Sequence, residues 1–249
     1  MAQRPGVAIA GAVDEGPPLR QARIDLESLK SNVQTLGATF SGFVIDVAAD
    51  AYGHGAVEVA RAARSVGALN FLVRNDGEAK ILRSAGIVGE FAISAEIGSD
   101  SAAATFGIGP IAQRLRLAPV MRVGASVMSV KVIAAGEPVS YGYTWRAKTT
   151  SRLALVPLGY ADGLSRAASN LGEVWLSGAL RPIVGRVAMD VCVLDLGEDD
   201  SVVVGDEALL FGDPRVPQAS VERWAAALDL SVLEVTTGVG ARVVRRWVP

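Results

Sequence analysis

Cysteine, histidine and lysine are all scarce in this sequence of 249 residues, and each scarcity excludes something. The lone cysteine, Cys192, has no partner for a disulfide within the chain, and such sparing use of thiols fits a reducing cytoplasm. In its run of β-formers, Cys192 reads as a small buried hydrophobe. The lone histidine, His54, has no second ligand within sequence reach, so no metal site is expected. The few lysines, with the arginines scattered and a net charge of -2, give no basic face for nucleic acid or an anionic membrane. No apolar run approaches the roughly 20 residues that cross a bilayer. The apolar segment from Gly6 to Val13 is too short for a signal peptide and runs into Asp14, Glu15, Gly16, Pro17 and Pro18. A flexible leader over residues 1–20 and a soluble cytoplasmic protein are expected.

Half of the residues are apolar and 27 are glycine, which is ordinary for a globular α/β chain with ample core. The chain is organised around FVIDVAADAYGHG, Phe43 to Gly55. Phe43, Val44, Ile45 and Val47 are β-formers, and Gly53 and Gly55 free the backbone. Ala56, Val59, Ala60, Ala63 and Val66 then recur at helical spacing, so the stretch reads strand, tight turn, helix. Unpaired amides at that helix start favour an anion such as phosphate. A plain βα turn that binds nothing is the other reading.

Around this turn, Asp25 is placed to cap a helix carrying Leu26, Leu29, Val33 and Leu36. Phe71 to Val73 and Glu78 to Arg83 form a second strand and helix, and Glu90 to Ser94 a third strand. The later chain reads as β, with hairpin turns at Ser177-Gly178 and Gly205-Asp206 and a buried-type run from Val202 to Val204. One amphipathic helix, with Val221, Trp224, Ala225 and Leu228 behind a Ser220 cap, follows.

DAYGHG after an apolar strand resembles the signature of the alanine racemases, fold-type III enzymes dependent on pyridoxal phosphate. The family's opening IDL..L..N is visible in Ile24, Asp25, Leu26, Leu29 and Asn32. From Pro119 to Val248 the resemblance runs through APVMRV, AGEPVSYGYTW, VPLGYADGLSRAASNLGEV, RPIVGRVAMDVCVLDLG and VGDEALLFG. It implies an α/β plus all-β protein with three parts. These are the leader at 1–20, a truncated (β/α) barrel at 21–112 and a complete C-terminal β-domain at 113–249. A whole barrel takes about 250 residues, so only about three to four strands are expected, with AATFGIGP, Ala103 to Pro110, as the last barrel segment.

The same resemblance assigns roles. The family's lysine, which holds the cofactor as a Schiff base, is Ala48 here, and alanine can form no imine. Tyr52 matches a phosphate-contacting tyrosine, with Gly53, His54 and Gly55 beside it as cofactor-binding positions; turn packing is the alternative for Tyr52. The ring-nitrogen arginine falls on Thr105 and a second phosphate tyrosine on Leu233. Tyr141 matches the family's acid/base tyrosine, or is a packing residue; Met189 matches the residue whose backbone meets the substrate carboxylate, or is core filler. Lys148 is a solvated loop charge or a substitute anchor, and Arg242, Arg245 and Arg246 read as the polar face of a terminal strand. The expectation is a degenerate homologue, a pseudoenzyme acting as an interaction or regulatory protein. It would assemble as a head-to-tail homodimer or dock on an intact racemase, with a small amino acid as possible ligand. The alternative is a residual alanine racemase that binds pyridoxal phosphate and uses Tyr141 as one base.

Overall fold

The computed structural model describes residues 19–94 and 100–249, so the expected leader lies outside the described residues as far as residue 18. Ten elements make the first part: β1 (Arg20–Asp25), α1 (Leu26–Thr39), β2 (Ile45–Asp46), α2 (Ala48–Tyr52), α3 (Ala56–Ser65), β3 (Asn70–Val73), α4 (Asp76–Ser84), β4 (Glu90–Ile93), α5 (Asp100–Thr105) and α6 (Gly109–Leu115). The remainder comprises β5 (Met121–Ser126), β6 (Ser129–Ile133), β7 (Pro138–Val139), β8 (Trp145–Arg146), β9 (Ser151–Val156), β10 (Glu173–Leu176), β11 (Ala179–Pro182), β12 (Cys192–Gly197), β13 (Glu207–Phe211), α7 (Val221–Leu228), α8 (Val232–Thr237) and β14 (Val244–Val248).

α1 begins where the sequence places it. The Asp25 carboxylate accepts the Ser28 amide at 2.8 Å, and Leu29, Val33 and Leu36 are buried on one face. Asn32 on that face donates to the Ala118 carbonyl at 2.9 Å and accepts the Ala118 amide at 3.2 Å, tying α1 to the approach to β5.

The strands β2, β3 and β4 are parallel and adjacent in that order, with Ile45 opposite Phe71 and Phe71 opposite Phe91. Three strands are too few to close a barrel. The expected last barrel segment is helical: residues 100–105 form helix α5, and Pro110 sits in the first turn of α6. The alanine run drives this, because alanine is the strongest helix former and proline is tolerated at a helix start. Thr105 is therefore not at a strand end; its hydroxyl donates back to the Ser101 carbonyl at 3.2 Å within α5. The outer strand β4 leaves Ile93 55% exposed, and Val88 just before it is 73% exposed.

A six-stranded sheet, ordered β11-β10-β13-β5-β1-β14, dominates the rest, beside a three-stranded sheet β12-β9-β6 and the small β7-β8 ribbon. β1 runs antiparallel to β5 and parallel to β14, so residues 20–25 are built into this large sheet instead of the parallel one. The Ser177-Gly178 hairpin joins β10 to β11 as expected, with both residues at positive φ. The expected buried run at 202–204 does not form: Val202 is buried but Val203 and Val204 are exposed. There the Asp206 carboxylate accepts the Val203 amide at 3.0 Å, which makes the segment a turn. One apolar core runs through both parts, from Phe71 and Phe106 to Phe211 and Trp224.

Candidate active site

The turn after β2 is one turn of left-handed helix. Ala49, Asp50, Ala51 and Tyr52 all have φ between 51° and 56°. Each such residue costs about 1–2 kcal/mol relative to the right-handed form. The surroundings hold it. Asp50 is the centre, its carbonyl accepting the Gly53 and Gly55 amides at 3.1 and 3.0 Å and its carboxylate accepting the Ala56 amide at 2.8 Å. From outside, the Arg245 guanidinium donates to the Gly53 carbonyl and the Trp247 indole to the His54 carbonyl, both at 2.8 Å.

Strand, turn and helix thus follow as the sequence implies, and the first amide of α3 already has an acceptor within the chain. Its first amide is taken by Asp50, a carboxylate in the place an anion would occupy. A side chain at position 53 would meet the Thr236 carbonyl at 2.7 Å, and one at 55 the Trp247 ring at 2.8 Å, so these glycines allow close packing of α8 and β14.

Ala48 is fully buried, with its amide donating to Asp46 at 3.0 Å. The Tyr52 hydroxyl donates to the other Asp46 oxygen at 2.6 Å, both residues being buried. Position 48 therefore lies beside a carboxylate and a bound phenol. Leu233 is buried on α8, which packs against α2.

His54 is buried, stacks on Phe106 with ring centroids 4.1 Å apart, and places Nδ1 2.9 Å from the Ala51 carbonyl. Burial foremost, with a smaller contribution from Arg245 and against two backbone hydrogen bonds, pushes its pKa down to about 4. The ring is thus neutral in the folded state and must take up a proton when the unfolded chain is acidified. Because the folded pKa lies below the unfolded 6.5, this stability is present above pH 6.5 and is lost as pH falls toward 4. Urea unfolding at pH 5 should show about 2 kcal/mol less stability from this group than at pH 7.5. His54→Phe should flatten that slope, and an unchanged slope would reject the assignment.

Tyr141 lies in the loop after β7, 45% exposed, with its hydroxyl donating to the Val187 carbonyl at 3.4 Å. The guanidinium carbons of Arg166 and Arg186 stand 5.5 and 5.8 Å from its ring centre. Met189, in the neighbouring loop, is 52% exposed, which corrects the expectation of core filler. Its carbonyl accepts the Ala161 amide at 3.0 Å, and its own amide makes no hydrogen bond among the described residues. Lys148 is exposed in the loop after β8.

Sequence reasoning missed the charge centre beneath Met189. The Asp162 carboxylate, with no exposed side-chain surface, accepts the Arg20 guanidinium at 2.8 Å and the Gly159 amide at 2.9 Å. Arg242 approaches its second oxygen to 3.3 Å as an ion pair without hydrogen-bond alignment, and pairs with Asp190 at 2.7 Å. Arg242 and Arg245 are therefore not a solvated strand face. Arg245 donates to the carbonyls of Gly53, Val239, Gly240 and Val243. The signal available was the ADG triplet, Ala161 to Gly163, an acid framed by small residues.

Two family models match the chain: the alanine racemase N-terminal domain over residues 24–110 and the alanine racemase C-terminal domain over residues 120–247. An alanine racemase of Cutibacterium acnes is 42% identical over 139 residues, 56% of this chain and 37% of its own. One of Mycolicibacterium vanbaalenii is 45% identical over 148 residues, 58% of this chain and 38% of its own. The chain thus spans under two fifths of the length of these relatives. Among solved structures, alanine racemase from D-cycloserine-producing Streptomyces lavendulae matches with a TM-score of 0.85 at 26% identity, covering 94% of this chain and 98% of that one. The Bartonella henselae alanine racemase with covalently bound pyridoxal phosphate matches with a TM-score of 0.79 at 20% identity, covering 93% of this chain and 100% of that one, which is a likeness of fold. With both domain models matched in order along one chain, this protein belongs to the alanine racemase family.

Proposed function

We propose that this chain is a non-racemising member of its family, an interaction or regulatory homologue that presents its β-domain to an intact racemase or to a second copy in a head-to-tail pair. One observation carries the reading: the first residue of α2, just past β2, is Ala48, with Asp46 and Tyr52 locked together beside it. The family depends on pyridoxal phosphate, which supplies the electron sink that acidifies the substrate α-carbon when bound. The residues present here do not fit a covalently held cofactor. There is no amine at position 48, the tyrosine hydroxyl is spent on a carboxylate, and that carboxylate would repel a phosphate. Leu233 offers no hydrogen bond.

The β-domain side supports the partner role. Tyr141 and Met189, whose amide is unbonded among the described residues, are both exposed, as residues serving a neighbour's site must be. The residues exposed around β4 leave an edge for which a partner is the physical remedy. Cys192 takes no part in this, since burial pushes its thiol up to about 12 and leaves it inert. The competing reading, residual L-/D-alanine interconversion with Tyr141 as one base, draws on the same accessible phenol beside two arginines.

The test is to mix the full chain with pyridoxal phosphate, desalt it, and record the visible spectrum before and after borohydride. No retained reducible band is expected. A retained band would mean that another lysine, Lys148 foremost, anchors the cofactor, and the racemase reading would replace this one. Ala48→Lys should not restore turnover, because Asp46 and Tyr52 stay paired.

A further inference from the structure

The outer face of the six-stranded sheet carries three arginines in one row. Arg23 on β1 is directly opposite Arg122 on β5 and, on its other side, Arg246 on β14. Strands lie about 4.8 Å apart, and like charges directly opposite each other in a sheet are destabilising. Only Arg122 is answered. Glu207 takes it through both oxygens, one pair at 2.6 Å, and Asp213 stands 3.2 Å from its Nε.

The neighbouring carboxylates are engaged elsewhere and neither pairs with Arg23 or Arg246. Asp213 also holds Arg215 at 2.7 Å, and Asp25 is the cap of α1. Arg23 and Arg246 are exposed and make no ion pair or hydrogen bond among the described residues. Both border a groove of about 410 Å³, floored by Gly124 and edged by Gln21, Ser126 and Glu207. The absence of a side chain at Gly124 keeps the floor low, and Glu207 leans across it toward Arg122.

We propose that this groove binds a phosphate group, held by the Arg23 and Arg246 guanidinia. Two adjacent forks of donors match the oxygens of a tetrahedral dianion, which would relieve the repulsion between them. Glu207 on the opposite rim repels the anion and confines it to the β1–β14 side. The groove has room beyond the phosphate itself, and Gln21 and Ser126 supply polar groups for an attached hydroxylated moiety. The inference is independent of the proposed function and of the turn at position 48.

The test is calorimetric titration of the full chain with inorganic phosphate and with ribose 5-phosphate, against chloride at equal ionic strength. Saturable binding of either is expected, and tighter binding of the sugar phosphate would identify the organic ester as the ligand. Arg246→Gln and Arg23→Gln should each weaken binding about tenfold, while Arg61→Gln on α3 should not. Without phosphate the two variants should be no less heat-stable than the parent, since a like-charge contact is removed, and with phosphate they should gain less. Heats no different from chloride, or equal weakening in Arg61→Gln, would overturn the proposal.

Discussion

Replacing Asp162 by alanine is expected to cost the fold about 3–5 kcal/mol, among the largest single effects in the molecule. The carboxylate is fully enclosed, accepts Arg20 and the Gly159 amide on one oxygen, and has Arg242 beside the other as an ion pair. Removing it strands a mostly buried guanidinium and a buried amide at once, and an unmatched buried charge is far costlier than the pair is worth. Arg242 is 42% exposed and contributes little of the loss, since water can solvate it. Asp162→Asn keeps an acceptor for Gly159 and should retain part of the stability. Urea unfolding monitored through the tryptophans would decide; a change below about 1 kcal/mol for alanine would show that the centre is a bystander. The substitution should also loosen the Met189 loop, because Arg242 reaches it through Asp190.

Phe106→Ala is expected to cost about 3–5 kcal/mol through the lost burial and the cavity left behind. Phe106 is completely buried, stacks on His54, and takes Tyr52 edge-on with ring centroids 6.0 Å apart. It is thus the apolar support of the left-handed turn. The sharper expectation concerns acid. With the ring gone water can reach His54, its pKa should rise toward the ordinary value, and the stability lost between pH 7.5 and 5 should shrink relative to the parent. A variant destabilised by less than about 1.5 kcal/mol, or one with the parent's full pH dependence, would contradict this role. Phe106→Leu should fall between the two.

The parts of this architecture that local rules govern were legible. Asp25 before an apolar stripe, Ser220 before Val221 and Trp224, and Ser177-Gly178 between β-rich runs each became the cap or hairpin their chemistry calls for. Burial of the lone cysteine and the shortness of the parallel sheet were legible too. What escaped depends on distant partners. Nothing in AADAY announces four consecutive left-handed residues, because the conformation is stabilised by Arg245 and Trp247. The same holds for Arg242 and Arg245, which look solvated until the 238–243 loop and Asp162 are brought to them. The resemblance placed residues 103–110 in the last barrel segment without giving their secondary structure, and the alanine run there forms a helix that ends at Thr105. At the candidate active site the sequence showed the missing amine, but not that Asp46 would engage the Tyr52 hydroxyl.

The bonds from β14 to the turn also bear on the order in which the molecule can be made. Arg245 and Trp247 meet Gly53 and His54 across separations of 192 and 193 residues, and β1 needs β14 as one of its two neighbours. A turn that is unfavourable by itself has to wait for groups that are synthesised more than 190 residues after it. Pairings this remote in sequence make for slow folding and prolonged exposure of apolar surface. The turn after β2 and the outer side of β1 are thus completed only when β14 is in place.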